Sequence, residues 1–486
     1  MYSLALVAAL SVLFAYSLTP LIRDWFVRRG WVDHPDGQRK VHCLPVPRAG
    51  GAIIAIAYLA SCALLASLHS NGWVQFGLDF SIVHRVLPGA ALIFIIGLLD
   101  DSKSLPPAVK LGTQFVACVV AFLAGVRVSV LHWPAAGAWW FSLPMTLFWL
   151  LLCTNAFNLI DGMDGLSSGL SLFAVLTLIC SALLTHNLPL LLATVPLAGA
   201  LLGFLPFNIN PASVFLGDSG SYTIGFLLGC FAIVWSQKSV TLLGVTAPLM
   251  AFSVPLFDVA LVVARRFLRQ KSIFAADRLH LHHRLLERGL SPRGVVWVLY
   301  ATACVGAALA LLSTALNNIF AGFALLAFCG AACFAIKYLG YLEFDTASRI
   351  AFRGTFRQVL RSEMILHTTW THLSRASTPA ACWQVVRATA SELGFCRAGM
   401  KLDDVEFLES FDTADAAPLW TITIPLDGRG QIELAHRFEQ PATAVTLAPL
   451  TDVLHRCLVR GAGPQLQPRK NGARQPALSL RKAAGA

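Results

Sequence analysis

From its first residues to about position 337 the chain alternates apolar runs with short polar loops. Each run has the roughly 17–25 residues that let a helix cross a bilayer. The runs fall near 3–22, 49–68, 83–99, 108–126, 139–158, 169–185, 188–206, 221–236, 242–264, 294–313 and 319–337. They predict about eleven transmembrane helices. After Leu339 the pattern changes. Residues 351–375 place Phe352, Phe356, Val359, Leu360, Ile365 and Leu366 at helical spacing with arginines between them. This predicts a basic amphipathic helix that lies on the membrane surface or packs on the domain that follows. Residues 378–460 read as helix, strand, strand, a DGRG turn, strand and helix, a small α+β fold with a good hairpin signal at its DG step. The tail from 462 is rich in Gly, Pro, Lys and Arg, which predicts disorder.

The expected fold class is therefore an all-α polytopic membrane protein with a small cytoplasmic α+β C-terminal domain. Residues 1–340 form the transmembrane domain and 341–377 a linker helix. Residues 378–461 form the soluble domain, GAF-like by fold-level analogy alone, and 462–486 the basic tail.

Composition agrees. The 486 residues are 56% hydrophobic and 13% charged, with a mean hydropathy of +0.66. A soluble domain carries about 25% charged residues, so this chain has too few polar residues to cover a globule of its size. Its twelve cysteines stand singly, with no CxxC pair, most of them inside apolar runs. They read as small buried hydrophobes, and neither a disulfide framework nor a zinc site is indicated.

The net charge of +11 is unevenly placed. One set of loops holds Arg28, Arg29, Arg39, Lys40 and Arg48, then Lys103 and Lys110, then the arginine-rich stretch from Arg265 to Arg288. The alternate set is nearly free of Lys and Arg. The positive-inside rule places the first set in the cytoplasm and the N-terminus outside. The first apolar run has its positive charges after it, the reverse of a secretory signal.

The polar clusters share that cytoplasmic side. Asp100 and Asp101 end the third span, and Lys110 and Gln114 begin the fourth. NAFNLIDGMDG, at the end of the fifth, carries Asn155, Asn158, Asp161 and Asp164. Asp218 lies between spans seven and eight. His280, His282 and His283 lie between nine and ten, and Lys40 and His42 follow the first. Each motif alone is weak; their common sidedness is the signal. Adjacent carboxylates at the foot of an apolar span repel and need a cation. Hard oxygen ligands suit Mg²⁺, which takes one or two carboxylates plus substrate phosphates. Lys, Arg and His can hold the remaining phosphate charge. The residues alone point to a Mg²⁺-dependent transfer between a soluble phosphate compound and a lipid.

Five blocks, RKVHCLPVPRAGG, GLLDDSKSLPPAVKLGTQ, NAFNLIDGMDGLSSG, FNINPASVFLGDSGS and ADRLHLHHRL, occur in the order found in a known family. Over residues 1–337 the chain resembles the polyprenyl-phosphate N-acetylhexosamine-1-phosphate transferases, and within them the N-acetylglucosamine branch. Leu281 interrupts HLHH, where the muramoyl-pentapeptide branch shows three consecutive histidines. The resemblance implies transfer of N-acetylhexosamine 1-phosphate from a UDP-sugar to undecaprenyl phosphate, with release of UMP. That reaction starts O-antigen, capsule, exopolysaccharide or teichoic acid synthesis.

The resemblance also implies site roles. Asp218 is a ligand of Mg²⁺, with Mn²⁺ as a substitute, and Asp100 and Asp101 lie beside the metal and the lipid phosphate. Asn155, Asn158, Asp161 and Asp164 bind the nucleotide-sugar or organise the metal site. Lys40, His42, Lys110, Gln114, His280, His282 and His283 complete the substrate contacts. The family's aspartate-rich block is often DDxxD; here its fifth position is Ser104, so no third carboxylate is assigned there. The partners implied are the UDP-sugar, undecaprenyl phosphate and membrane lipids, with no nucleic acid. A homodimer and downstream glycosyltransferases are the protein partners considered. The implied location is a bacterial cytoplasmic (inner) membrane, crossed many times, with the site and C-terminal domain inside. Two rivals are a secondary transporter, which needs midplane polar groups and repeats not visible here, and a receptor signalling through its C-terminal domain.

Overall fold

The computed structural model describes residues 2–33, 45–70, 79–128, 139–236, 246–268, 280–315, 318–341, 344, 355–376, 378–402, 405–411, 419–426, 430–437, 444–459 and 480–482. The chain divides into two compact units, Met1–Glu343 and Phe344–Ala486.

The first unit is a helical bundle. In chain order it contains α1 (Tyr2–Arg28), β1 (Val32–Asp33), β2 (Val46–Pro47), α2 (Gly50–Ser70), α3 (Ser81–Lys103), α4 (Pro107–Leu123) and α5 (Trp139–Leu159). There follow α6 (Leu166–Leu184), α7 (Leu188–Asn208), α8 (Gly217–Ser236), α9 (Thr246–Ala251) and α10 (Ser253–Leu268). It ends with α11 (Leu281–Glu287), α12 (Pro292–Ala315) and α13 (Asn318–Leu339). Among the described residues nine helices are long and apolar enough to cross a membrane, and α4 is an apolar helix just below that length.

The run at 242–264 is broken in two, at Phe252. Pro255 lacks the N–H that would continue the helical ladder across that point. With α4 and the α9–α10 pair, the nine account for every apolar segment expected from the pattern. The chain is thus a multi-pass membrane protein. Large apolar side chains such as Leu13, Phe148, Trp297 and Phe334 stay more than half exposed. In a bundle of this composition such surface faces lipid.

Helices α6, α7 and α8 form the centre. Their most apolar windows are 72%, 78% and 83% buried, against 11% for α13. Phe157, Phe204, Phe226, Phe231 and Phe252 fill the core between them. Helix α8 packs most closely on α3 and α5, so its first residue sets the depth of Asp218. Helix α3 runs to Lys103, beyond the expected end near 99. Asp100 is therefore helical, and its Oδ1 accepts the Leu105 N–H at 2.8 Å to close the helix end.

The described residues of the second unit form a five-stranded antiparallel sheet with three helices. These are α14 (Thr355–Leu373), α15 (Pro379–Glu392), β3 (Arg397–Leu402), β4 (Val405–Ser410), β5 (Leu419–Pro425), β6 (Gly430–Arg437), α16 (Ala444–Val459) and β7 (Leu480–Lys482). The strand order is β4-β3-β6-β5-β7. Trp383, Met400, Ile422, Ile432 and Leu454 share one core. Of the two settings expected for the amphipathic helix, α14 takes the packed one. Leu366 and Leu373 enter this core, and α14 lies against α15 and α16. The expected DGRG turn lies mostly outside the described residues. Composition predicts disorder from 462; Leu480–Lys482 depart from that because β5 offers a free edge, on which they pair.

Candidate active site

Four helix ends meet in a closed ring of polar contacts. On α3, Asp100 is 3% exposed and pairs with the ammonium of Lys110 on α4. Its carboxyl also lies close enough to the Asp218 carboxyl on α8 for the two to influence each other's charge. The Asn158 side chain on α5 donates to Asp218 Oδ1 at 2.7 Å and to Ser221 Oγ at 2.9 Å. One turn earlier, Asn155 donates to Gln114 Oε1 at 2.8 Å, and Gln114 is one turn from Lys110 on α4. The ring therefore runs α3, α8, α5, α4 and back to α3. The spacing of three between Asn155 and Asn158 puts both amides on one face of α5.

Asp101 sits differently. It accepts the backbone N–H of Asp218 at 2.8 Å and of Ser219 at 2.9 Å, capping the start of α8. A carboxylate there satisfies orphan helix amides and meets the positive end of the helix dipole. Gly217 adopts a φ of +76° just before, and a Cβ on it would lie 2.7 Å from Asp101 Oδ2. The glycine is what lets the cap approach.

The turn after α5 adds more carboxylates. Asp164 Oδ2 accepts the Asn210 side chain at 3.0 Å and the Ala212 N–H at 3.1 Å, fastening the 210–212 loop. Asp161 makes no such bond among the described contacts. Burial and the nearby carboxylates of Asp218 and Asp101 push its pKa well above the ordinary carboxylate range, and Arg48 partly counters them. Several carboxyl groups thus crowd one volume with Lys110 and Arg48 as nearby cations.

The histidine segment closes another side. His280 Nδ1 lies 2.8 Å from Asp258 Oδ2. The ring planes of His280 and His282 are 10° apart at 5.7 Å. His282 is 1% exposed, and a Cβ on Gly162 would fall 2.7 Å from its Nε2. The histidine thus packs on the glycine between Asp161 and Asp164. Burial, with the neighbouring histidines, pushes the His282 pKa down to about 4. His283 is exposed, its ring 4.3 Å from that of His282.

Of the residues singled out from the sequence, Asp100, Lys110, Gln114, Asn155, Asn158 and Asp218 form the ring. Asp101, Asp161, Asp164, His280 and His282 are joined to it through α8 or the 161–164 turn. Lys40 and His42 lie outside the described residues. The sequence reading missed Asp258, Arg48, Ser221 and Asn210. Asp258 had a signal: it is an acidic residue inside an apolar segment, costly unless it serves something. Arg48 was read only as a topology marker. Its guanidinium bonds Asp33 at 2.9 Å, and its field reaches Asp101 and Asp161.

Among the described residues no three His, Cys, Asp or Glu side chains converge as a ready-made metal cage. The donor set is instead a pair of neighbouring carboxyl groups, Asp100 and Asp218. Two such groups so close need a shared proton or a cation. Mg²⁺ characteristically takes one or two carboxylates and completes its shell with water and substrate phosphate, so these residues fit it.

A membrane bundle with this cluster at its helix ends has the build of an enzyme that handles phosphates beside lipid. Comparison with known proteins narrows the class. Residues 83–236 match the model of glycosyl transferase family 4. The chain is 33% identical over 294 residues to the probable undecaprenyl-phosphate N-acetylglucosaminyl 1-phosphate transferase of Bacillus subtilis, covering 60% of this chain and 79% of that protein. It is 35% identical over 324 residues to the decaprenyl-phosphate N-acetylglucosaminephosphotransferase of Mycobacterium tuberculosis, covering 61% and 79%. With the undecaprenyl-phosphate alpha-N-acetylglucosaminyl 1-phosphate transferase of Thermotoga maritima it shares 28% over 270 residues, covering 55% and 77%. The chain belongs to the polyprenyl-phosphate N-acetylhexosamine-1-phosphate transferases of glycosyl transferase family 4, and is a phosphotransferase.

Proposed function

We propose that the chain transfers N-acetylhexosamine 1-phosphate, with N-acetylglucosamine as the sugar, from a UDP-sugar to undecaprenyl phosphate and releases UMP. The reaction takes place at the cytoplasmic face of a bacterial inner membrane, the side to which the basic loops assign the site. It is the initiating step of a cell-surface polysaccharide such as O-antigen, capsule, exopolysaccharide or teichoic acid. The observation that carries the reading is the closed ring around the Asp100–Asp218 carboxyl pair. The names of the relatives support it.

In this reading Asp218, with Asp100 beside it, holds Mg²⁺, and Mn²⁺ can replace it. When bound, the ion offsets the negative charge that gathers on the diphosphate oxygens. The protein's own groups do the rest. Asn158 orients Asp218. Lys110 and Arg48 bring positive charge to the phosphates. Asp161 and the histidines stand where the nucleotide-sugar enters.

A phosphomonoester has a second pKa near about 6, so the lipid phosphate is mostly dianionic at neutral pH and needs no strong base. Asp100 positions it. One of its oxygens forms a bond to the sugar-bearing phosphorus. The bond between that phosphorus and the bridging oxygen breaks, and the oxygen leaves with the electron pair as part of UMP. A covalent aspartyl phosphate is the competing route. Exchange of UMP into UDP-sugar without lipid would favour that route, and its absence would favour direct attack.

The test is UMP release by purified protein given undecaprenyl phosphate, Mg²⁺ and UDP-N-acetylglucosamine, with Asp218→Asn alongside. Lipid- and Mg²⁺-dependent UMP, lost in the variant, supports the reading. No UMP from this donor, but UMP from UDP-N-acetylgalactosamine, changes the sugar. No UMP from any UDP-sugar, by folded protein, overturns it.

A further inference from the structure

We infer that Asp258 is a positioning residue for the reaction, acting through His280 on the histidine helix α11; this rests on the reading under Proposed function. Asp258 lies in the apolar segment SVPLFDVALVVARRFL and is 1% exposed. An acidic side chain in such a place is expensive and needs its oxygens satisfied. Both are satisfied by one short stretch. Oδ1 accepts the Leu281 N–H at 2.7 Å, and Oδ2 lies 2.8 Å from His280 Nδ1.

An ionised carboxylate has only acceptors to offer, so in that pairing Nδ1 carries the hydrogen and Nε2 is left as the ring's acceptor. The same pair of bonds fixes the plane of the ring. That plane is passed on: the His280 ring lies nearly parallel to that of His282, and His282 rests on Gly162. A chain of contacts thus joins a carboxylate buried in α10 to the turn bearing Asp161 and Asp164. Among the described contacts Asp258 bonds neither the ring around Asp218 nor that turn; its bonds go to His280 and to the Leu281 N–H, and its charge also reaches His282. Carboxylates that orient metal-bound histidines affect affinity or activity by about 10–100-fold when removed, and that range scales the effect expected for orienting a substrate-side histidine.

Asp258→Asn is the informative change. It keeps an oxygen for the Leu281 N–H but presents an NH₂ to His280, forcing the opposite tautomer. The experiment measures kcat/KM for UMP release and Tm in wild type, Asp258→Asn, His280→Ala and the double variant. The expected result is a fall of about tenfold or more in kcat/KM for Asp258→Asn, with Tm close to wild type. In the His280→Ala background, Asp258→Asn costs nothing further, because the residue it acts through is gone.

Wild-type kcat/KM in Asp258→Asn overturns the inference. So do losses that multiply in the double variant, which would mark Asp258 as a structural residue only. If Asp258→Asn does not fold, the double swap Asp258→Leu with His280→Leu removes both buried polar partners together. Turnover equal to that of folded His280→Leu alone then supports the inference, and turnover at the wild-type level, or well below that of His280→Leu, overturns it. Wild-type protein that releases no UMP from any donor sinks the functional reading, an outcome distinct from turnover with multiplying losses.

Discussion

Asp101 on α3 accepts the backbone N–H of Asp218 on α8 at 2.8 Å. Two neighbours in the sequence, Asp100 and Asp101, therefore do different work. Asp101 fastens the start of α8, while Asp100 faces Lys110 and the Asp218 carboxyl. The two roles separate in measurement. Asp101→Ala removes a cap and should lower stability by about 1–2 kcal/mol, seen as a lower Tm in detergent, with activity falling as α8 loosens. Asp218→Asn should keep its Tm and lose UMP release. Turnover surviving in Asp218→Asn would remove that residue from the metal site.

Asp161 is held protonation-prone by burial and by the carboxylates of Asp218 and Asp101. An acid whose folded pKa is raised opposes folding at neutral pH, and the penalty fades as pH falls toward the ordinary carboxylate range. Asp161→Asn should thus have a higher Tm than wild type at pH 7.5 in EDTA, even as turnover drops. Added Mg²⁺ should raise the wild-type Tm more than that of the variant, because a ligand that binds only the folded state stabilises it. Equal shifts would show that Asp161 does not act on the cation, and no shift in either protein would count against a cation at this cluster.

His282 gives the opposite sign. It is buried, with a pKa pushed down to about 4. The folded protein keeps it neutral while the unfolded chain takes up a proton near about 6.5. Its contribution is therefore present above about 6.5, falls as the pH drops toward about 4, and changes no further below. The loss amounts to roughly 3 kcal/mol at most. Tm of wild type minus Tm of His282→Gln should shrink between pH 7.5 and 5.0. Asp161 is common to both proteins and cancels in that difference. A constant difference across this range would show that His282 is not held neutral.

The segment count was legible because a membrane imposes a length and a composition on each helix. The break at Phe252 was not, since Pro248 and Pro255 flank an otherwise uniform apolar run. That Asp100, Lys110, Asn158 and Asp218 come together at one end of the bundle was legible, but the separate contacts of each were not. Asn155 and Asn158 read alike, yet one bonds Gln114 and the other Asp218. Asp161 and Asp164 read alike, yet Asp164 fastens a loop. Such differences depend on contacts between residues 40 to 60 or more positions apart, which local spacing does not encode. Strand β4 was missed because its side chains are mostly exposed or half-buried and show little apolar alternation.

Close packing around Asp218 makes a further test. A Cβ on Gly97 would lie 2.5 Å from Ser219 Cα, whereas one on Gly112 meets nothing within 4 Å. Gly97→Ala must push α3 away from the start of α8, and overpacking of this kind costs about 1–3 kcal/mol. It should lower Tm and reduce turnover. Gly112→Ala, on the same polar end of the bundle, should be neutral or slightly stabilising, since alanine favours a helix by about 1 kcal/mol. Equal behaviour of the two would mean that the α3–α8 contact is looser than these distances state.

The point at which the C-terminal unit is cut away should decide whether the enzyme survives. The second unit has its own core, and the carboxylate ring is complete within the first unit. Removing residues 345–486 should therefore leave UMP release largely intact. Tyr341 belongs to the first unit and is 2% exposed. Its ring lies 5.5 Å from the Arg265 guanidinium on α10 and 5.1 Å from that of Arg284 on α11. Arg288 lies 4.8 Å from the Tyr338 ring. The contacts of buried Tyr341 contribute on the order of 1–2 kcal/mol each and that of the exposed Tyr338 about 0.5–1 kcal/mol, and together they brace the helix that carries His282. A chain ended after residue 337 loses both tyrosines and should lose turnover, while one ended after 343 should keep it. UMP assays on the two truncations, matched for amount of folded protein, make the comparison. Equal activity in both would show that the tyrosine brace is dispensable, and loss in both would show that the second unit is required for turnover.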